Sequence, residues 1–189
     1  MDKVSPELSS KDVSLLNYLS RHEHWTPFAH VVLSFRITLP IFVARQLMKS
    51  TVGVVVNEVS RRYVTTPPQF LDITNFRQPA PSVKQGSSPH NTPYNLLARS
   101  IYRVITTLSN WSYWALLKLN VCPEQARSVL PQSLMTTLIW TGSLAALHRL
   151  YRLRTNDHAQ LEIQNLVNTM ATYAQSHFPN AWTALENTK

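Results

Sequence analysis

The 189-residue sequence predicts a single α+β domain, because hydrophobic patterns of period two and of period near 3.6 both occur in it. Residues His30 to Thr38 set Val31, Leu33, Phe35 and Ile37 against Val32, Ser34, Arg36 and Thr38, which marks a half-buried strand. Val52 to Val56 is a β-branched run that suits extended backbone. Several other segments repeat apolar residues every three or four positions, as helices do. A composition 44% hydrophobic and 15% charged is that of a globular chain with one buried core.

Taken in order, Lys11 to about Arg21 forms a first helix, capped by Ser9 or Ser10, with Val13, Leu15, Leu16 and Leu19 as its stripe. His22 to Pro27 makes a turn into the first strand. Thr38 followed by Pro40 marks the start of a helix running through Ile41 to Ser50. On that helix Arg45 and Lys49 share a face, and Gln46 adjoins Lys49 at i, i+3.

After Val52 to Val56 come Asn57, Glu58, Ser60, Arg61, Arg62 and Tyr63, a dense polar cluster. Residues 64–92 are rich in proline, serine and asparagine with no period, and are expected to form one long functional loop. Pro93 opens a long helix to about Leu119, with Leu97, Ile101, Val104, Leu108, Trp111, Ala115 and Leu119 as a continuous buried stripe.

A short helix from Pro123 carries Arg127. A longer one is expected from about Gln132 to Leu153, with Leu134, Leu138, Leu144, Leu147 and Tyr151 along one side. Asn156 or Thr155 caps the last helix, with Asp157 in its first turn, and its core face is Ile163, Leu166, Val167, Met170 and Tyr173. Pro179 is expected to close it.

Twelve prolines against three glycines leave no glycine-rich phosphate loop, so any phosphate must be held by side chains. A net charge of +8 predicts a polyanionic partner: nucleic acid, an acidic membrane or a phosphorylated small molecule. The single Cys122 excludes an internal disulfide and a multi-cysteine zinc site, and is expected to be a buried thiol in a reducing, cytoplasmic compartment. No export signal is expected from the polar MDKVSPELSSKD start, nor a membrane span, since no stretch reaches roughly 20 apolar residues.

The sequence has no Gly-x-Ser-x-Gly elbow and no His-Glu-x-x-His site. His22, Glu23 and His24 are consecutive and point in different directions, so polar contacts are expected there in place of a metal. More distinctive is arginine set among hydrogen-bonding residues: Arg45-Gln46, the Asn57 to Tyr63 cluster, Arg127, and Arg152 with Arg154. The guanidinium fork matches phosphate and carbonyl edges, although solvated helix faces would carry the same residues. Glu58 reads equally as a general base or as a partner of Arg61 and Arg62. Ser60 has no adjacent histidine and reads as a phosphate ligand, not a nucleophile.

The segment HWTPFAHVVLSFRITLPIFVARQLMKSTVGVVVNEVSRRY resembles the core of the flavin-dependent thymidylate synthases. His24 to Phe28 corresponds to the family's His-x-Thr/Ser-Pro-Phe turn, Pro40 to Gln46 to its Pro-x-x-x-Ala/Cys-Arg-Gln helix, and Asn57 to Tyr63 to its Asn-Glu-x-Ser-x-Arg-Tyr signature. FRQPAPSVKQGS (Phe76 to Ser87), ARSVLP and LRTNDHAQLEIQ follow in family order, so the resemblance covers roughly residues 10 to 178. It implies a small antiparallel sheet packed with long helices, the fold of the thymidylate synthase-complementing proteins.

It further implies reductive methylation of dUMP to dTMP with FAD as cofactor and NADPH and methylenetetrahydrofolate as co-substrates. A homotetramer whose sites combine several subunits is also implied, in the cytoplasm of a bacterial or infected host cell, with neither membrane nor nucleic acid as partner. By position, the pyrimidine nucleotide falls to Gln46, Lys49, Glu58, Ser60, Arg61, Arg62, Arg127 and Arg154. Arg154 matches the arginine that stabilises an ionised pyrimidine N3, making the base a nucleophile without a protein thiol. The flavin falls to His24, Thr26, Lys49, Ser50, Thr51, Glu58, Ser143, Arg149 and Leu153.

Three departures stand against the family pattern. Lys49-Ser50-Thr51 replaces an Arg-His-Arg triplet, and Ser143 and Ala145 stand where the family has Asn and Arg. The sequence also starts late, with no expected counterpart of the family's first strand and Ala-Ala-Arg segment; phage-type members share some of these changes. Two further readings follow: a flavin- and folate-dependent pyrimidine deoxynucleotide hydroxymethylase acting on dUMP or dCMP, and a non-catalytic module that binds nucleotides or nucleic acid.

Overall fold

A computed structural model describes residues 8–64, 66–81, 86–156 and 158–187. The first half contains α1 (Ser10–Arg21), α2 (Thr26–Ala29), β1 (Val32–Pro40), α3 (Ile41–Leu47), β2 (Val54–Glu58), β3 (Arg77–Pro79) and β4 (Ser87–Asn91). The second contains α4 (Asn95–Lys118), α5 (Pro123–Ala126), a 3-10 turn (Arg127–Val129), β5 (Met135–Ser143), α6 (Leu144–Arg154), α7 (Leu161–His177) and α8 (Pro179–Glu186).

The main sheet is antiparallel and three-stranded in the order β1-β5-β2. β5 is its spine, paired from Val32↔Ser143 to Pro40↔Met135 on one side and from Val54↔Gly142 to Glu58↔Leu138 on the other. This corrects the helix expected from Gln132 to Leu153, which is a strand followed by a helix. The spacing of Leu134, Leu138, Leu144 and Leu147 fits a helical stripe, but in β5 the buried residues alternate as Thr136, Leu138, Trp140 and Gly142. The β-branched Thr136, Thr137, Ile139 and Thr141 favour the pleat. Ser143 then ends the strand and caps α6, its hydroxyl accepting from the Ala146 amide at 3.1 Å.

α6, α7 and α8 pack with α3 and one face of the sheet around a core of Leu47, Leu138, Trp140, Leu147, Ile163, Val167 and Trp182. α1 lies against α8 and is capped as expected: Ser9 and Asp12 exchange hydrogen bonds in a capping box. Those bonds, the side-chain one first, hold the Asp12 carboxyl below its ordinary range.

Several local expectations are corrected. The turn before β1 includes a short helix, α2, with Pro27 in its first turn. The stretch 64–92 is not one long loop, because β3 and β4 pair in it as a hairpin. It is tethered where Tyr102 donates to the Leu71 carbonyl at 2.5 Å and the Phe76 amide donates to Asn95 Oδ1 at 2.8 Å. Lys84 and Gln85 of its Lys-Gln-Gly segment lie outside the described residues, as does Asp157. Gln160, not Asn156 or Thr155, caps α7, and Pro179 opens α8 where it was expected to close a helix. Proline fits there because a first-turn N–H has no helical partner to lose.

Cys122 is exposed, not buried, at the entry to α5. The stripe on α4 is also exposed within one chain: Trp111 keeps 68% of its surface and Leu119 75%, and Leu97, Ile101, Val104 and Leu108 are exposed as well. α4 buries Thr106 and Tyr113 instead. Tyr173, expected on the core face of α7, is exposed too. Periodicity identifies an apolar face; it does not say what covers it. Among the described residues no helix is long and apolar enough to cross a membrane.

Candidate active site

The C-terminus of α6, the N-terminus of α7, the end of α3 and the hairpin meet at a cavity of about 440 Å³ containing Gln46, Lys49, Arg77, Arg154 and Gln160. Arg154 Nη2 donates to the Gln46 carbonyl at 3.2 Å, and the Gln46 side-chain amide donates to Gln160 Oε1. Arg77 donates from Nη2 to Glu162 Oε1 at 2.7 Å and from Nε to Ser87 Oγ at 2.7 Å, tying the hairpin to α7. Arg154 Nε and Glu162 Oε2 are buried with no protein partner. An unpaired donor on a planar cation beside an oriented carboxamide suits the polar edge of a heterocycle.

A second cavity, about 200 Å³, shares Lys49 and Arg154 with the first and adds Ser50, Thr51, Arg149 and Leu153. A third, about 550 Å³, shares Val52, Ala146, Arg149 and Leu153 with the second and adds Trp25, Ser143, His148 and Arg152. The three adjoin along α6 through these shared lining residues. His24 and Thr26 flank Trp25, the residue of their turn that lines the third. His148 is buried edge-on to Trp182 and stacked on Tyr151. Burial, and secondarily the Arg152 charge, push its imidazole below the ordinary value, while Glu186 opposes them.

The other arginine cluster lies elsewhere. Glu58, Ser60, Arg61 and Arg127 line a separate cavity of about 200 Å³ with Ile41 and Leu134. Glu58 Oε1 accepts from Thr136 Oγ1 at 2.8 Å, so its partner is neither Arg61 nor Arg62. Arg61 instead donates to the Thr66 carbonyl at 2.7 Å. Arg62 pairs with Glu124 at 3.3 Å and lies over the Tyr63 ring, and the Ser60 hydroxyl accepts from the Arg62 amide at 3.3 Å. Arg127 Nε donates to the Glu124 carbonyl at 3.2 Å. Of the eight residues expected at the nucleotide, Gln46, Lys49 and Arg154 line one cavity and Glu58, Ser60, Arg61 and Arg127 another, the two sharing no lining residue, while Arg62 lines neither. No cluster of potential metal ligands occurs among the described residues, and Glu23 turns with a positive φ of 57° between His22 and His24.

The family model of the thymidylate synthase complementing proteins matches residues 2–180. The chain belongs to that family. It is 36% identical over 176 residues to the flavin-dependent thymidylate synthase of Thermus thermophilus, a match covering 93% of this chain and 64% of the relative. To that of Thermosipho africanus it is 34% identical, covering 92% of this chain and 75% of the relative. The chain thus spans just under two thirds of the length of the Thermus relatives. Among solved structures, the UMP/dUMP methylase PolB from Streptomyces cacaoi bound with 5-Br dUMP superposes with a TM-score of 0.83 at 28% identity. That superposition covers 97% of this chain and 83% of the other.

Residues that line these cavities or hold their lining in place, beyond those singled out in the sequence, are Arg77, Gln160, Glu162, Trp25 and His148. Motif order held a signal for four of them: Arg77 lies in FRQPAPSVKQGS, Gln160 and Glu162 in LRTNDHAQLEIQ, and Trp25 in HWTPF. His148 had none, because in the sequence it is a polar interruption of an apolar helical pattern.

Proposed function

We propose that this chain is a flavin-dependent thymidylate synthase that methylates dUMP to dTMP, with FAD as cofactor and NADPH and methylenetetrahydrofolate as co-substrates. The observation that carries this reading is that the Gln46–Arg154 cavity adjoins the one holding Lys49 and Arg149, the two sharing Lys49 and Arg154 as lining. A pyrimidine in the first and part of a dinucleotide cofactor in the second would lie side by side. The residues present suit such a cofactor: Lys49, Arg149, Ser50 and Thr51 are donors for a diphosphate, and Lys49 supplies charge where the family has a fork. When bound, the flavin supplies the reducing equivalent.

Arg154, with its unpaired Nε, would stabilise negative charge at pyrimidine N3, and Gln46, held by Gln160, would orient the base. Ser60, Arg61, Arg62 and Arg127 would hold the phosphate of a nucleotide whose base lies in another copy's Gln46–Arg154 cavity, since within one chain the two groups are apart. A homotetramer accounts for this division and gives the exposed α4 stripe a covering partner. The relatives are named for thymidylate synthesis and the neighbouring structure for UMP and dUMP methylation, so a hydroxymethyl product is not favoured.

The test is the absorbance spectrum of the purified protein with FAD, titrated with dUMP, followed by mass analysis of product. A bound flavin perturbed by dUMP and a methylated product are expected. Lack of flavin binding would leave only the non-catalytic reading, and a product heavier by one oxygen would replace methylation by hydroxymethylation.

A further inference from the structure

We propose that Thr136 is a positioning residue of the nucleotide site, acting through Glu58: its hydroxyl holds that carboxylate with one oxygen left to accept from the ligand. This role rests on the thymidylate synthase reading above and adds to it a residue that no motif singled out. Alternation along β2 puts Val54, Val56 and Glu58 on one face of the strand. Val54 and Val56 pack against the core, and Glu58 continues their row opposite the buried Leu138. A carboxylate therefore ends a core-facing row of the sheet, and it opens into the cavity of Ser60, Arg61 and Arg127.

Thr136 lies two residues before Leu138 on β5 and so shares its face. It is buried, and its Oγ1 donates to Glu58 Oε1 at 2.8 Å. The next residue, Thr137, is on the other face and pairs its hydroxyl with that of Thr38 across the sheet. Neither arginine of the cavity neutralises Glu58. Arg61 donates to the Thr66 and Pro67 carbonyls and Arg127 to that of Glu124. Among the described residues the ion pairs are Arg62–Glu124 and Arg77–Glu162. Thr136 is thus the side chain that orients Glu58, and Glu58 Oε2 keeps its lone pairs for a ligand's hydroxyl or N–H. A hydroxyl on a carboxylate is a charge-assisted bond. Without it the flexible glutamate must be ordered anew at each binding event, an entropic loss that appears as lower affinity.

Threonine carries a hydroxyl and a methyl on one Cβ, and two substitutions remove them one at a time. Thr136→Val keeps the β-branched shape that suits a strand and loses the hydroxyl, while Thr136→Ser does the reverse. The experiment uses the full-length protein with FAD present, measuring dUMP affinity by titration calorimetry, steady-state kinetics and Tm. Thr136→Val is expected to weaken dUMP about tenfold, the scale of one charge-assisted hydrogen bond, and to raise KM in step while kcat changes little. Thr136→Ser should bind dUMP nearly as the parent does, although its Tm falls with the lost methyl. In a Glu58→Ala background Thr136→Val should have no further effect on dUMP, since nothing is left to orient.

Equal dUMP affinity in parent and Thr136→Val, or an effect of Thr136→Val that persists undiminished in Glu58→Ala, would overturn the positioning role and leave the synthase reading intact. So would the opposite order, with Thr136→Ser binding more weakly than Thr136→Val, which assigns Thr136 to packing. A parent that binds no dUMP would remove the nucleotide reading and this role with it.

Discussion

Arg154, in the last turn of α6, reaches the main chain of α3 and donates from Nη2 to the Gln46 carbonyl at 3.2 Å. Its Nε is buried with no hydrogen-bond partner, so the guanidinium is anchored through Nη2 with one N–H left unsatisfied. Arg154→Lys keeps the charge and loses this division of labour. A fall in kcat of about 10²–10³-fold is expected, the scale of removing a preorganised donor. Steady-state assays would check it, with sedimentation equal to the parent's showing the same association state; turnover near the parent's would remove Arg154 from the N3 assignment.

The Arg77–Glu162 pair joins the hairpin to α7 at 2.7 Å, with side chains only 23% and 30% exposed. Glu162→Gln keeps the shape and removes the charge. We expect a loss of about 1 kcal/mol, at the upper end for exposed pairs, in urea unfolding. Because the hairpin carries Arg77 and Ser87 into the pocket, KM for the nucleotide should rise with little change in kcat. A lower kcat at constant KM would contradict this.

Val104 and Leu108 lie in the exposed stripe of α4. Asp at either position should leave helicity by circular dichroism intact, because no core contact is lost, and, if the proposed tetramer forms through this face, lower the sedimentation coefficient to that of smaller species. If sites are shared between copies, mixing Arg62→Ala with Arg154→Ala protein should restore part of the turnover that each lacks alone. Absence of any recovery after verified subunit exchange would place the whole site within one chain.

Burial lowers the His148 pKa, so the folded protein prefers the neutral ring while the unfolded chain takes up a proton near the ordinary 6.5. Stability from this group is therefore complete above about pH 6.5 and is lost as pH falls through the lower folded value. His148→Gln should flatten the decline of Tm on the acid side of pH 6.5. Parallel Tm profiles for parent and variant would assign the acid sensitivity to other groups.

Gly142 sits in the middle of the sheet, where an added Cβ would come within 2.5 Å of the Trp140 ring. Trp140 is fully buried and cannot swing into solvent. Gly142→Ala should cost about 1–3 kcal/mol by overpacking, read as a lower urea midpoint at constant slope.

Much of the first half was legible locally. α1 with its Ser9 cap, β1 and β2 were each foreshadowed by a capping residue, an alternation or a β-branched run, while α3 begins after Pro40 as expected but has no side-chain cap, Thr38 lying within β1, and ends at Leu47, short of the expected Ser50. β5 was not, because its leucines lie at spacings that fit a helix, and only pairing with β1 and β2 reveals the alternation of buried Thr136, Leu138, Trp140 and Gly142. The hairpin in 64–92 was hidden for a similar reason: Arg77 to Pro79 and Ser87 to Asn91 have weak strand propensity and pair through contacts made across the loop.

The sequence by itself determined the family, through ordered motifs spread over most of the chain, and with it the residues Gln46, Lys49, Glu58, Ser60, Arg127 and Arg154 as those to examine. Charge and glycine content alone also required side chains to hold any phosphate. Only the tertiary structure decided how these residues are grouped. Gln46 and Arg154 are 108 positions apart yet hydrogen-bonded, while Glu58 and Ser60 open into a different cavity. Spacing along a chain sets neighbours only within a turn or a strand. Contacts between elements come from how helices and sheet bury their apolar faces, and that packing brings α6 and α7 to α3 while leaving α4 uncovered.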